Sequence, residues 1–157
     1  MKKFKLTSEF IVDISGVKLF RIKALIEFGN VKAGDLGGYI EKEKNLSHMG
    51  NAWVSGNAQV SGNAWVFGDA QVFGNAQVFG DARVSGDKDY AYAHGFGSCN
   101  RTTTFFRLKD GDVGVRCGCF YGTLAQFRDN VCETHGETKK AQEYLMLADL
   151  MDFRFKN

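Results

Sequence analysis

The 157-residue sequence has no proline, so its turns fall to Gly, Asn and Asp, and glycine alone numbers 19. No apolar run approaches the roughly 18–20 residues needed to span a membrane. The opening "MKKFKLTSEFIVDIS" has no unbroken apolar stretch of the kind a signal peptide requires. The expected location is therefore cytoplasmic. Charge of one sign is also missing. Twenty Lys and Arg face 18 Asp and Glu, a balance that argues against nucleic-acid binding by bulk charge. The four cysteines read, in a reducing compartment, as thiols or metal ligands rather than disulfides. Apolar residues, at 44%, are enough for a packed core and exclude global disorder.

Between Gly50 and Ser85 the chain repeats Gly-Asn/Asp-Ala-x-Val-Ser/Phe six times without interruption. Six is not a helical period, and collagen needs glycine at every third position. It suits a parallel β-helix, in which each unit is a short strand plus a corner and three units make a coil. Ala and Val are two residues apart and face inward together. Gly-Asn and Gly-Asp make corners, where positive φ is tolerated. The x and Ser/Phe slots face outward. Eighteen residues per coil place Trp53 over Gln71 and Trp65 over Arg83. Leu46 and Ile40 fall six and twelve residues before Ala52, so the phase begins ahead of the strict motif. Two coils are only about 10 Å tall at ~4.8 Å per layer. Their open ends need covering by the flanking segments.

Three segments follow: a β meander over 1–33, the β-helix over 34–91 and an α+β unit over 92–157. In the first, "FKL", "EFIVDI" and "VKLFRIKALIEF" read as strands, with a turn at Ser15-Gly16. In the last, "TTTFFRL" and "VGVRCGCF" form two strands. A helix starts at the capping box Thr123–Gln126 and ends at Gly136. A second helix spans Thr138 to about Phe153, giving a ββαα cap.

The hexapeptides closely resemble those of left-handed β-helix proteins, and that resemblance supplies the handedness. The stretch "RIKALIEFGNVKAGDLGGYIEKEKNLS" running into "GNAWV", with the tail "TTTFFR…CGCFYGTLAQF…THG", resembles uncharacterised proteins encoded by bacteriophages and prophages. The resemblance implies origin and architecture, and brings no catalytic motif and no cofactor. The outward Trp53, Trp65, Phe67, Phe73 and Phe79 are expected to form the interface of a homo-oligomer, and the β-helix resemblance implies that a trimer is favoured.

The strongest polar cluster is "HGFGSCNRTTTFFR" facing "VRCGCFYG". Arg101, Arg107 and Arg116 offer guanidinium forks, and Ser98, Thr102, Thr103 and Thr104 offer hydroxyls. His94 lies alongside, while Phe120 and Tyr121, with Phe105 and Phe106, are either stacking rings or core. Guanidinium and hydroxyl groups beside rings suit a phosphorylated ring compound. The expectation is a non-catalytic, phage-encoded binding protein that sequesters a nucleotide-derived host defence signal. One alternative is a hexapeptide-type acyltransferase using His94 as base. The other is a scaffold or inhibitor working through an aromatic belt of Trp53, Trp65, Phe67, Phe73 and Phe79, the last three on successive faces. Cys99, Cys117, Cys119 and Cys132 with His94 and His135 lack zinc-knuckle spacing. His48, His94 and His135 are too scattered for the three-histidine zinc site of γ-class carbonic anhydrases. No metal is expected. Nucleic acid is the weaker partner, because Asp110 and Asp112 dilute the basic cluster.

Overall fold

A computed structural model describes residues 2–97, 101–118 and 120–156. The chain opens with β1 (Phe4–Val12), β2 (Lys18–Ala24) and β3 (Leu36–Ile40). Six two-residue strands follow: β4 (Trp53–Val54), β5 (Gln59–Val60), β6 (Trp65–Val66), β7 (Gln71–Val72), β8 (Gln77–Val78) and β9 (Arg83–Val84). The chain ends with β10 (Tyr90–Phe96), β11 (Arg101–Arg107), β12 (Val113–Cys117), β13 (Phe120–Thr123), α1 (Leu124–His135) and α2 (Lys139–Phe155).

The six short strands pair in parallel at the expected register, with Trp53 over Gln71 and Trp65 over Arg83. Val54, Val60 and Val66 stack on Val72, Val78 and Val84, and every Ala and Val of the repeat is buried. Each buried valine side chain contributes at least about 1.5 kcal/mol of transfer free energy. The six repeat glycines hold φ between +63° and +71°, the left-handed region that only Gly enters freely. That explains the one invariant corner residue.

The lead-in departs from the expected phase. Ile40 pairs with Val60 and Leu46 with Val66, so both extend the valine ladder rather than the alanine one. Leu46 and Val54 are eight residues apart instead of six, and the surplus is absorbed around Ser47–Met49. An even shift keeps the apolar side chains inward.

β1, expected as two strands, is one strand with an irregularity between Leu6 and Phe10. β1, β2 and β3 form an antiparallel meander, and β3 then pairs in parallel with β5. The result is a five-stranded sheet, β1-β2-β3-β5-β8, that fuses the meander to the coil. The expected ββαα cap is corrected to four strands plus two helices, because β10 and β13 flank the two anticipated strands in an antiparallel β10-β11-β12-β13 sheet. Both helix starts are as expected. Thr123 Oγ1 accepts from Gln126 N at 3.2 Å while Gln126 Oε1 accepts from Thr123 N at 2.9 Å, and Thr138 caps α2.

This sheet lies between the end of the coil and the helices. Along β11, Phe106 belongs to the coil's apolar core and Phe105 to the helices' core. Burial on both faces accounts for the unbroken run Thr103–Phe106.

The coil ends are sealed by surrogates for the missing coils. Within the stack, each alanine carbonyl accepts from the layer below, as in Trp53 N to Ala70 O at 3.0 Å. In the lowest layer Ala58 O accepts from Tyr39 N, Ala64 O from Asn45 Nδ2 at 2.8 Å and Ala52 O from Lys3 Nζ at 2.6 Å. At the top, Gln77 N donates to Thr104 Oγ1 at 2.9 Å, and the Tyr90 hydroxyl donates to Gln71 O at 2.6 Å. Side chains thus satisfy backbone groups that would otherwise be orphaned.

Candidate functional site

The C-terminal sheet divides the nine candidate ligand residues instead of gathering them. Thr104, Arg116 and Tyr121 face the coil. Arg116 is buried, with its guanidinium carbon 4.2 Å from the Phe79 ring centre and Nη2 3.7 Å from Asp13 Oδ2 at the tip of the β1–β2 hairpin. Burial lowers its pKa, and Asp13 opposes that. Asp13 Oδ2 is itself buried without a hydrogen bond, while Oδ1 accepts from Ser15 N and Val17 N. Tyr121 meets Phe79 edge-on at 4.9 Å and stacks with Phe106 at 6.3 Å. These residues join the sheet to the coil, so the expectation that Thr104 and Arg116 contact a ligand is corrected: both are buried in that junction.

His94 and Thr102 pair with each other across β10 and β11, Nδ1 to Oγ1 at 2.8 Å. Arg107 lies at the C-terminal end of α2, 3.1 Å from Asp89 Oδ1 and within reach of Phe155 O. Burial acts to raise the Asp89 pKa, but hydrogen bonds from Ser85 and Arg107 hold it below the ordinary value. Lys88, Arg154 and Lys156 complete a depression of about 420 Å³ around Arg107.

Two of the nine do converge. Arg101 and Phe120 line a pocket of about 340 Å³ between the sheet and the helices. Phe127 and Val131, one turn apart on α1, form its floor, and Tyr144 of α2 and His135 form its far side. Phe127 meets Phe120 at 5.8 Å and Tyr144 at 5.6 Å. Gly118, at φ +60°, leaves the space that the Arg101 guanidinium occupies, where a Cβ would clash. The Tyr144 hydroxyl lies 3.6 Å from Cys117 Sγ, which accepts from Thr103 Oγ1 at 3.3 Å. Burial first, then Cys117, pushes the Tyr144 pKa up, so the phenol is neutral at physiological pH. Thr103 is fully buried, so it supports this wall from behind. A cation, aromatic walls, a neutral phenol and a thiol can hold an anionic group attached to a ring. Helical spacing alone puts Tyr144 with Ala141, Ala148 and Met151 on the buried stripe of α2 and does not mark it as a site residue. The available signal was that a buried tyrosine needs a partner for its hydroxyl.

The aromatic belt is also divided. Trp53 is 4% exposed, under Phe28 at 5.2 Å, and Phe79 is covered by Arg116 and Tyr121. Trp53 is therefore withdrawn from any partner surface, which corrects its assignment to an oligomer interface, while Phe79 is partly covered. Phe73 is 50% and Trp65 40% exposed, and Trp65 stacks on Phe67 at 4.0 Å.

The histidines occupy separate places. His48 Nδ1 accepts from Lys3 N, its Nε2 lies 3.1 Å from Glu43, and its ring stacks on Phe4. Ser98, Cys99 and Cys119 lie outside the described residues. Cys117 and Cys132 are free thiols. Among the described residues no three His, Cys, Asp or Glu side chains are grouped to hold a metal ion, and no helix is long and apolar enough to cross a membrane.

The family described as YdcK beta solenoid repeat matches residues 58–74 and 76–87. Nothing matches among curated proteins. The matched residues span β5 to β9 of the parallel ladders, so the chain is a mainly-β protein with a β-solenoid repeat and a C-terminal helical part.

Proposed function

We propose that the protein binds, without transforming it, a small phosphorylated ring compound in the pocket between the C-terminal sheet and its helices. The observation that carries this reading is the meeting of Arg101 with the rings of Phe120, Phe127 and Tyr144 around about 340 Å³. That volume is near the lower end for small-molecule sites, which favours a mononucleotide-sized ligand or one arm of a larger one. In its narrower form the protein is a phage-encoded sink for a nucleotide-derived defence signal. The resemblance of residues 21–54 and of the tail to phage and prophage proteins supports that form. The resemblance of the hexapeptides to those of left-handed β-helix proteins supports a left-handed winding of the coil.

Thermal-shift measurements with nucleoside monophosphates, cyclic dinucleotides and acyl-CoA, joined to mass spectrometry of co-purifying small molecules, test the reading. A nucleotide at a hundredfold excess over its Kd should add about 2.7 kcal/mol of stability. Arg101→Ala and Phe120→Ala should abolish the gain. No shift with any nucleotide, together with a protein that purifies empty, would sink the proposal. Turnover of acyl-CoA would replace it with the acyltransferase.

A further inference from the structure

A concavity larger than that pocket lies elsewhere: an open groove of about 780 Å³ along the outer face of β6 and β9. Its centre is Trp65, backed by Phe67 with the two rings 18° from parallel. That backing makes the exposed indole a rigid platform. Four cations line the groove: Lys42, Lys44, Arg83 and Lys109. Among the described residues none of the four lies within ion-pair distance of a carboxylate. Arg83 Nη1 is fixed by the carbonyls of Asn63 at 2.9 Å and Ala82 at 3.0 Å, which position the guanidinium without neutralising it. Of the two acids on the rim, Glu43 is already matched by Lys2 and His48, each at 3.1 Å. Asp81 stands alone against the four cations.

The ladder sets their spacing. The turn carrying Lys42 and Lys44 leads to Leu46, which bridges to Val66 and so lies one layer below Trp65. Arg83 lies one layer above Trp65, and Lys109 N donates to Asp81 O beside it. The cationic stripe therefore runs about 10 Å along the coil axis, two layers of ~4.8 Å, with the indole midway. We propose that this groove binds single-stranded nucleic acid: phosphates follow the stripe and a base stacks on Trp65. A stripe of that length exceeds one phosphate group. A duplex hides its base faces, and an acidic peptide would leave the indole with no planar partner. The near-zero overall charge does not oppose this reading, because four cations are gathered in this one groove.

Titration of the full chain with a short oligothymidylate, followed by tryptophan fluorescence, tests the proposal. Trp53 is buried, so a change on binding reports Trp65. Saturable quenching is expected, with log affinity falling against log salt at a slope of about −2 to −3, or roughly 0.7 per neutralised phosphate. With a labelled oligonucleotide and anisotropy readout, Trp65→Ala should weaken binding about 5- to 100-fold. Arg83→Gln should reduce the slope by about 0.7, and Lys139→Gln, on the exposed face of α2 and outside both sites, should change neither. Circular dichroism checks that each variant is folded. No saturable binding at low salt overturns the proposal, as does a folded Trp65→Ala that binds like the wild type. Equal competition by heparin, which has charge but no bases, overturns it too, and so does polyglutamate quenching Trp65 where the oligonucleotide does not.

Discussion

Lys3 shows how one side chain can stand in for a strand. Its ammonium is buried, bonded to Ala52 O and lying 4.6 Å from the Phe28 ring centre, and burial lowers its pKa to about 8. An ordinary lysine in the unfolded chain titrates near 10.4. Between about pH 8 and 10 the unfolded state therefore holds more of this proton, and stability must rise with pH. The full effect is at most about 3 kcal/mol. The cleanest window is pH 8 to about 9.5, before unfolded tyrosines ionise, because the raised pKa values of Tyr90 and Tyr144 act in the opposite direction. Urea midpoints should climb across that window in the wild type. Lys3→Met should be less stable at pH 8, with the Lys3 part of the slope gone.

At the scale of elements, the coil register was legible because it depends on one number. A period of six with three units per coil fixes which residues stack, and Trp53 over Gln71 required nothing more. The capping box at Thr123 was legible for a similar reason, since partner and cap are three residues apart. β13 was not: its four residues run straight into α1 and leave no turn to mark them. Lys3 and Asn45 left no local signal either, because each serves a carbonyl many residues away. The ligand cluster failed for a third reason. Alternation along β11 sends neighbouring hydroxyls to opposite faces, so Thr103 and Thr104 cannot share a site. Because register repeats every 18 residues, duplicating residues 56–73 should give a folded protein with one more layer. Duplicating a single hexapeptide should not, since it would turn Gln77 away from Thr104. Far-ultraviolet circular dichroism and the steepness of urea unfolding distinguish the two.

Over the whole molecule, the N-terminal hairpin and the C-terminal sheet meet through Asp13 and Arg116. Both side chains are almost wholly buried, at 3% and 6% exposure, so removing one charge strands the other. Asp13→Asn keeps the hairpin turn's acceptor yet should destabilise the protein by about 3–5 kcal/mol. Adding Arg116→Met should recover part of that loss, because no unpaired charge then remains. Chemical denaturation of the two single variants and the double variant measures the coupling directly.

The sealed lower edge of the coil also bears on how the protein behaves when crowded. A stack of parallel strands presents unpaired amides and carbonyls at both of its ends and is a template for end-to-end polymerisation. Here a second molecule would have to displace a buried ammonium from Ala52 and an amide from Ala64 before adding its first strand. The same side chains that complete the fold therefore act as gatekeepers against fibre growth, and they keep a repeat that could extend indefinitely at two layers.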